Sequence, residues 1–118
     1  MLETGLTHTS SLTVTEALTA KAMGSGDMPV LATPAMMALM ENAAMLAVAP
    51  ELPEGSTTVG GHIESSHLKP TPLGAEVKAE ATLTKVDGRK LYFTVKAMQG
   101  DAVIGEGTHP VSYTHLTL

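Results

Sequence analysis

From Pro34 to Ala49 every side chain is apolar except Glu41 and Asn42. A run this long, without β-branched enrichment, predicts a helix that is apolar almost all round and covered by protein over nearly its whole circumference. Thr33 stands where an N-cap is wanted, and Pro34 suits the first turn, where its missing N–H costs nothing. Pro50 and Pro53 then forbid continuation. Elsewhere the period is two. Residues 6–14, "LTHTSSLTV", read as a strand, and Thr15 as the cap of a short helical turn before a loop forced by Gly24, Gly26 and Pro29. "TTVGGHIESSHLKP" is β-rich up to Pro70. Val77, Ala79, Ala81 and Leu83 alternate with Glu76, Lys78 and Glu80, and Leu91, Phe93, Val95 and Ala97 repeat the pattern after an Asp87-Gly88 turn. Gly100-Asp101 marks another turn before a last strand. The order strand, helix, then about four antiparallel strands predicts an α+β domain in which a curved antiparallel sheet wraps one long central helix. Open sheet edges favour side-by-side pairing into a homodimer.

Composition narrows the function. The chain has 118 residues, enough for one domain. Its formal charge of −5, with seven Lys and Arg in no cluster, argues against nucleic acid and anionic lipid as partners. Without cysteine, disulfides, thiol nucleophiles and Cys-ligated metals are excluded. The polar start "MLETGLTHTSS" has no signal-peptide pattern, and the apolar helix is too short to span a membrane, so a cytoplasmic protein is expected. Eight Met against three aromatic residues imply a soft, adaptable interior.

No phosphate-binding, nucleophile-elbow or zinc-protease motif is present, and the glycines of "GSGD" and "GEG" read as turn punctuation. The five His do not pair at metal-ligand spacing, so no metal is expected. Glu41 is the informative residue. Either it lies with Asn42 on one wet stripe, or it sits in a crevice where desolvation raises its pKa and suits it as a base or nucleophile. Thr33 caps the helix, and its hydroxyl beside free N–H groups also forms a cradle for a carbonyl oxygen. His67, at a strand end, is a packed or surface residue unless a carboxylate makes it an acid–base group. Gly60-Gly61 signals a bulge or a backbone brought close to a ligand. Met36, Met37, Met40 and Met45 either pack the core or line an acyl pocket, with Met37 the substrate-binding candidate.

Three segments, "VLATPAMMALMENAAMLAVAP", "TTVGGHIESSHLKPTPLGAEVKAEATL" and "DGRKLYFTVKAMQGDAVIGEGTH", resemble in order and spacing the hot-dog-fold thioesterase family that includes fluoroacetyl-CoA thioesterase. The resemblance runs from Val30 to His109. It implies a hot-dog fold, hydrolysis of an acyl-CoA thioester to free acid and CoA, no cofactor beyond that CoA, and a homodimer with the acyl pocket at or near the subunit interface. It implies a catalytic set of Thr33, Glu41 and His67, with Gly60 at the thioester carbonyl and Gly61 beside it. Glu41 is then expected to be partly buried and close to His67. Two departures stand out. The segment "AKAMGSGDMPVLAT" lacks the aromatic lid of the fluoroacetyl enzyme, so a generic small or medium acyl group is expected, and Pro110 stands in the region where the family carries an Arg, where the resemblance stops. Residues 110–118 read as a tail foreign to the domain, although their alternation also suits the last strand. Two alternatives stay open: a non-catalytic acyl-thioester or small-acid binding module, and a hot-dog enoyl-thioester hydratase.

Overall fold

The computed structural model describes residues 1–115. Strand β1 (Thr7–Thr13) leads through a 3-10 turn (Glu16–Leu18) and a single helical turn, α1 (Ala20–Met23), to the long helix α2 (Thr33–Val48). Five strands follow: β2 (Ser56–Gly60), β3 (Glu64–His67), β4 (Glu76–Asp87), β5 (Lys90–Gln99) and β6 (Ala102–His115). All pair antiparallel in the order β1-β4-β5-β6-β2, and β3 lies beside the N-terminal half of the same β6 edge that carries β2. The β-rich stretch expected as one strand is thus two, interrupted at residues 61–63. Bulges between Leu83 and Lys85 in β4, and beside Ala97–Met98 in β5, add local bend to the sheet.

The alternation read from the sequence is the alternation of burial. Val77, Ala79, Ala81 and Leu83 of β4, and Leu91, Phe93, Val95 and Ala97 of β5, are all buried against one face of α2. That helix contributes Ala35, Met36, Leu39, Met40, Ala43, Ala44, Ala47 and Val48 to the core. Alanines on both sides let helix and sheet approach closely, and Met36, Met40 and Phe93 fill the remaining space. The sheet therefore wraps α2, as expected of a hot-dog fold, but it does not enclose it. Pro34, Ala38, Glu41, Asn42, Met45 and Leu46 form an exposed stripe along the opposite side, so the expectation of near-complete cover is corrected. On this stripe Asn42 accepts a 2.6 Å hydrogen bond from Ser10 of β1, which anchors the helix to the far edge of the sheet.

The helix entry also differs from expectation. Ala32 occupies the N-cap with no side-chain cap, and Thr33 is the first helical residue. The backbone is held instead from both sides: the N–H of Leu31 donates to Thr71 at 2.8 Å and that of Ala32 to Leu18 at 2.9 Å. Thr33 is thereby released from capping for another use.

"GEG" is not a turn. Gly105 and Gly107 lie inside β6, opposite His67 and Ser65 of β3. A Cβ at Gly107 would stand 1.8 Å from the Glu64 carbonyl oxygen, and one at Gly105 would stand 2.5 Å from Met36 Sδ and 3.0 Å from the Ser66 carbonyl oxygen. These glycines are sites of close backbone approach, and they let β3 settle on β6. The tail expected as foreign continues β6 through His115, where it pairs with β2; its residues 116–118 lie outside the described residues.

Gly107→Ala should lower stability by about 1–3 kcal/mol or more, because the obstacle is backbone and cannot rotate away. Urea unfolding of this variant measures the loss, and unchanged stability would mean that β3 does not lie so close.

Candidate active site

Two clusters of the expected residues stand apart along α2. At its N-terminal end the Thr33 hydroxyl and His67 Nδ1 form a 2.7 Å hydrogen bond. His67 reaches this point because β3 ends there, fixed by pairing opposite Gly105, and because the following Leu68 N–H donates to Ile104 at 2.7 Å. The pair borders a cavity of about 320 Å³ walled by Ala20, Met28, Val30, Leu31, Leu68 and Pro70, with Asp27 and Lys69 at its edge. Burial holds the His67 pKa below the ordinary imidazole value, an effect that a backbone contact at Lys69 partly offsets. At neutral pH the ring is therefore mostly uncharged and able to take a proton. Its Nε2 is buried without a partner. With the Thr33 hydroxyl donating to Nδ1, the hydroxyl oxygen gains nucleophilic and hydrogen-bonding strength; with Nδ1–H donating, the hydroxyl proton is free for a carbonyl oxygen.

The second cluster lies two turns further on. Glu41 borders a separate cavity of about 250 Å³ with Ala38, Asn42, Met45, Thr58, Gly60, His109 and Val111. Eight residues of helix place Glu41 about 12 Å along the axis from Thr33. Within one chain Glu41 is exposed and in no hydrogen bond to His67, which corrects the expectation of a half-buried Glu41 beside that ring. The helix has little solvent-free circumference to offer at this position, because its covered face is already occupied by the core.

The glycines and the methionine divide as well. Gly60 ends β2 and belongs to the Glu41 cluster: a Cβ there would stand 2.7 Å from His109 Cε1. The close approach anticipated at Gly60 is thus to an imidazole of the protein itself. Gly61 is exposed and a Cβ on it would meet nothing within 4 Å. Met36 and Met40 are core residues, whereas Met37 is half-buried and borders a shallow depression with Ile63, Glu64, Ser65 and Ser66, outside both cavities. His109, buried and in the Glu41 cluster, is the residue that sequence reasoning missed. Its signal was phase: it alternates with Val111 on the inward face of β6, an ionisable side chain at a core position. Among the described residues no three His, Asp or Glu gather as metal ligands, and no helix is long and apolar enough to cross a membrane.

Comparison with known proteins agrees with this architecture. Residues 14–111 match the family described as fluoroacetyl-CoA-specific thioesterase, FlK. The fluoroacetyl-CoA thioesterase of Streptantibioticus cattleyicolor is 41% identical over 87 residues, which are 74% of this chain and 63% of that protein, so the chain spans less than two thirds of its relative's length. A crystal structure of a point mutant of the fluoroacetyl-CoA-specific thioesterase FlK, in complex with fluoroacetate and CoA, superposes with a TM-score of 0.89 at 33% identity, covering 98% of this chain and 97% of that one. A hot-dog-like protein from Thermanaerovibrio acidaminovorans shares the fold, with a TM-score of 0.87 at 23% identity over 97% of this chain and 84% of that one. With the family matched across most of its length and the sheet wrapped about α2, this chain belongs to the fluoroacetyl-CoA-specific thioesterase family of the hot-dog fold.

Proposed function

We propose that this protein hydrolyses a small or medium acyl-CoA thioester to the free acid and CoA. The observation that carries the reading is the 2.7 Å Thr33–His67 hydrogen bond beside an aliphatic cavity, in a chain of this family. The cavity wall contains no Phe, Tyr or Trp, and Met28 in its lining is 62% exposed, which suits an alkyl acyl group without selectivity for fluorine. A cysteine-free chain that takes acyl-CoA also suits the cytoplasm.

The distance between the two clusters is resolved by a second copy of the chain. The exposed stripe of α2 is largely apolar, with Met45 40% and Leu46 38% exposed. In an isologous pair residue i meets j and j meets i. Thr33 and Glu41 are equidistant from Met37, so antiparallel α2 helices crossing near Met37 bring Thr33 and His67 of one protomer to Glu41 of the partner subunit. Burial in that interface desolvates Glu41, as a base or nucleophile requires.

In this homodimer Thr33 of one protomer and the backbone of Gly60 of the partner subunit, which lies beside Glu41, orient and polarise the thioester carbonyl. Glu41 of the partner subunit attacks it or activates water for the attack. As the C–S bond breaks, the departing thiolate takes a proton through His67, and water supplies the acid's oxygen and the remaining proton. A thiolate leaves readily, so acid–base help suffices and no metal is needed.

Glu41→Gln, Thr33→Ala and His67→Ala should each lower kcat about 10²–10⁴-fold in a thiol-release assay across short, branched and medium acyl-CoAs; unchanged rates in all three sink the assignment, and binding without release would mark a non-catalytic acyl-thioester module. Mixing inactive Thr33→Ala and Glu41→Gln proteins should restore about a quarter of the wild-type rate, since half the dimers are hybrid and each hybrid has one intact site. No recovery after confirmed subunit exchange would mean that each chain builds its own site. The His67 ring should titrate by NMR with a midpoint below about 6.5. Because the unfolded chain then takes up this proton first, acidification from about 6.5 down to the folded midpoint should also reduce stability, and a midpoint at or above 6.5 would contradict the burial argument.

A further inference from the structure

The edge of β6 that carries β2 and β3 is interrupted. Pairing with β2 ends at Gly60 opposite Val111, and pairing with β3 begins at Glu64 opposite Thr108. Three residues, Gly61, His62 and Ile63, therefore cross opposite two, His109 and Pro110. Pro110 has no N–H to offer a neighbouring strand. The loop is tied down by a side chain instead: His109 Nδ1 lies 2.7 Å from the His62 carbonyl oxygen. A carbonyl oxygen only accepts, so Nδ1 carries the proton and donates. In the neutral ring Nε2 is then a bare acceptor, and it faces the α-carbon of Gly60, where a Cβ would come within 3.0 Å of it. His109 is 3% exposed and borders the Glu41 cavity, so the donor end of this partly buried bond is withdrawn from water.

We infer that His109 is a positioning residue for thioester hydrolysis, acting through the Gly60–His62 backbone: its Nδ1–H replaces a missing ladder bond and its ring face sets where Gly60 lies beside Glu41. The inference rests on the proposed thioesterase function, with Gly60 at the carbonyl. It also explains why position 60 is glycine, since a Cβ there would collide with the ring. The neighbouring charged groups do not duplicate this tie. His62 and Glu64 point outward, with side chains 61% and 76% exposed and a separation of 3.9 Å.

Three substitutions separate a donor role from space filling. Asparagine places an amide N–H near the position of Nδ1, glutamine near that of Nε2, and alanine at neither. His109→Ala and His109→Gln should lower kcat by about tenfold to a hundredfold, the scale of a misplaced reacting partner, with KM changed by less than about threefold. His109→Asn should recover most of kcat. The amide resonances of Gly60, Gly61 and His62 should move in the Ala and Gln variants and return toward their original positions in the Asn variant. Equal impairment of Asn and Gln, or full activity in Ala, overturns the proposal, as do unmoved amide resonances. If the Ala variant does not fold, the Asn–Gln pair still decides. Should the wild-type protein release no thiol from any acyl-CoA, the functional reading fails and the catalytic role of His109 with it, whereas impairment without Asn rescue in an active enzyme overturns the positioning role alone.

Discussion

Strand β3 lies on β6 at a separation that glycine at position 107 permits and no larger residue does. Everything at the Thr33 end of the site depends on that contact. β3 is only four residues long, ends at His67, and has β6 as its strand partner. Its position fixes the imidazole at 2.7 Å from the Thr33 hydroxyl. The helix is fixed independently, by Leu31 and Ala32 bonding to Thr71 and Leu18 and by an alanine-rich seat on β4 and β5. Helix and strand, each held by backbone bonds, thus meet at the Thr33–His67 pair, with Ser65 against Met40 and Met36 against Gly105 as further contacts. That arrangement suits a reaction in which small displacements of a reacting group cost large factors in rate.

The sequence made the regular parts visible, because their determinants are local. Alternation in β4 and β5 states the period and the buried face outright, the long apolar run of α2 states the helix, and the prolines state its end. The chemistry was legible to the extent that Thr33 and His67 were singled out and are in contact. What was not legible depended on partners distant in sequence. Thr33 is a good cap by type, yet the chain before it is held by backbone bonds to the 3-10 turn at Leu18 and the loop at Thr71, so its hydroxyl serves His67. "GEG" has the composition of a turn, and only the crossing of β3 gives it a different meaning. Glu41 was expected in the interior because its helix neighbours are apolar, but the sheet covers one face and leaves the apolar stripe outside. An apolar exposed stripe with a carboxylate in its middle is a surface that the homodimer expected from the sequence would cover, although the sequence did not say which face of the helix it would be.

The two clusters also differ in how they are supported. The Thr33–His67 pair sits on a helix start and a strand end, whereas Gly60 sits where a strand gives way to a loop, held by an imidazole. A site that draws on both, as proposed, needs the loop to be as well determined as the strands, and a side-chain bond from the buried His109 to a backbone carbonyl is a compact way to achieve it.

The cavity beside Thr33 has one wall of a different kind. Ser25, Gly26, Asp27 and Met28 form part of its lining and belong to no strand or long helix, while the opposite wall is built from the entry to α2 and the end of β3. Mutations in that loop leave the core alanines, the glycine contacts and the reacting groups untouched. On the proposed function, substrate range and catalytic competence are therefore encoded in separable stretches of the chain. A lineage can lengthen, shorten or restock residues 25–28 and acquire a new acyl preference in few steps, without first surviving a loss of fold.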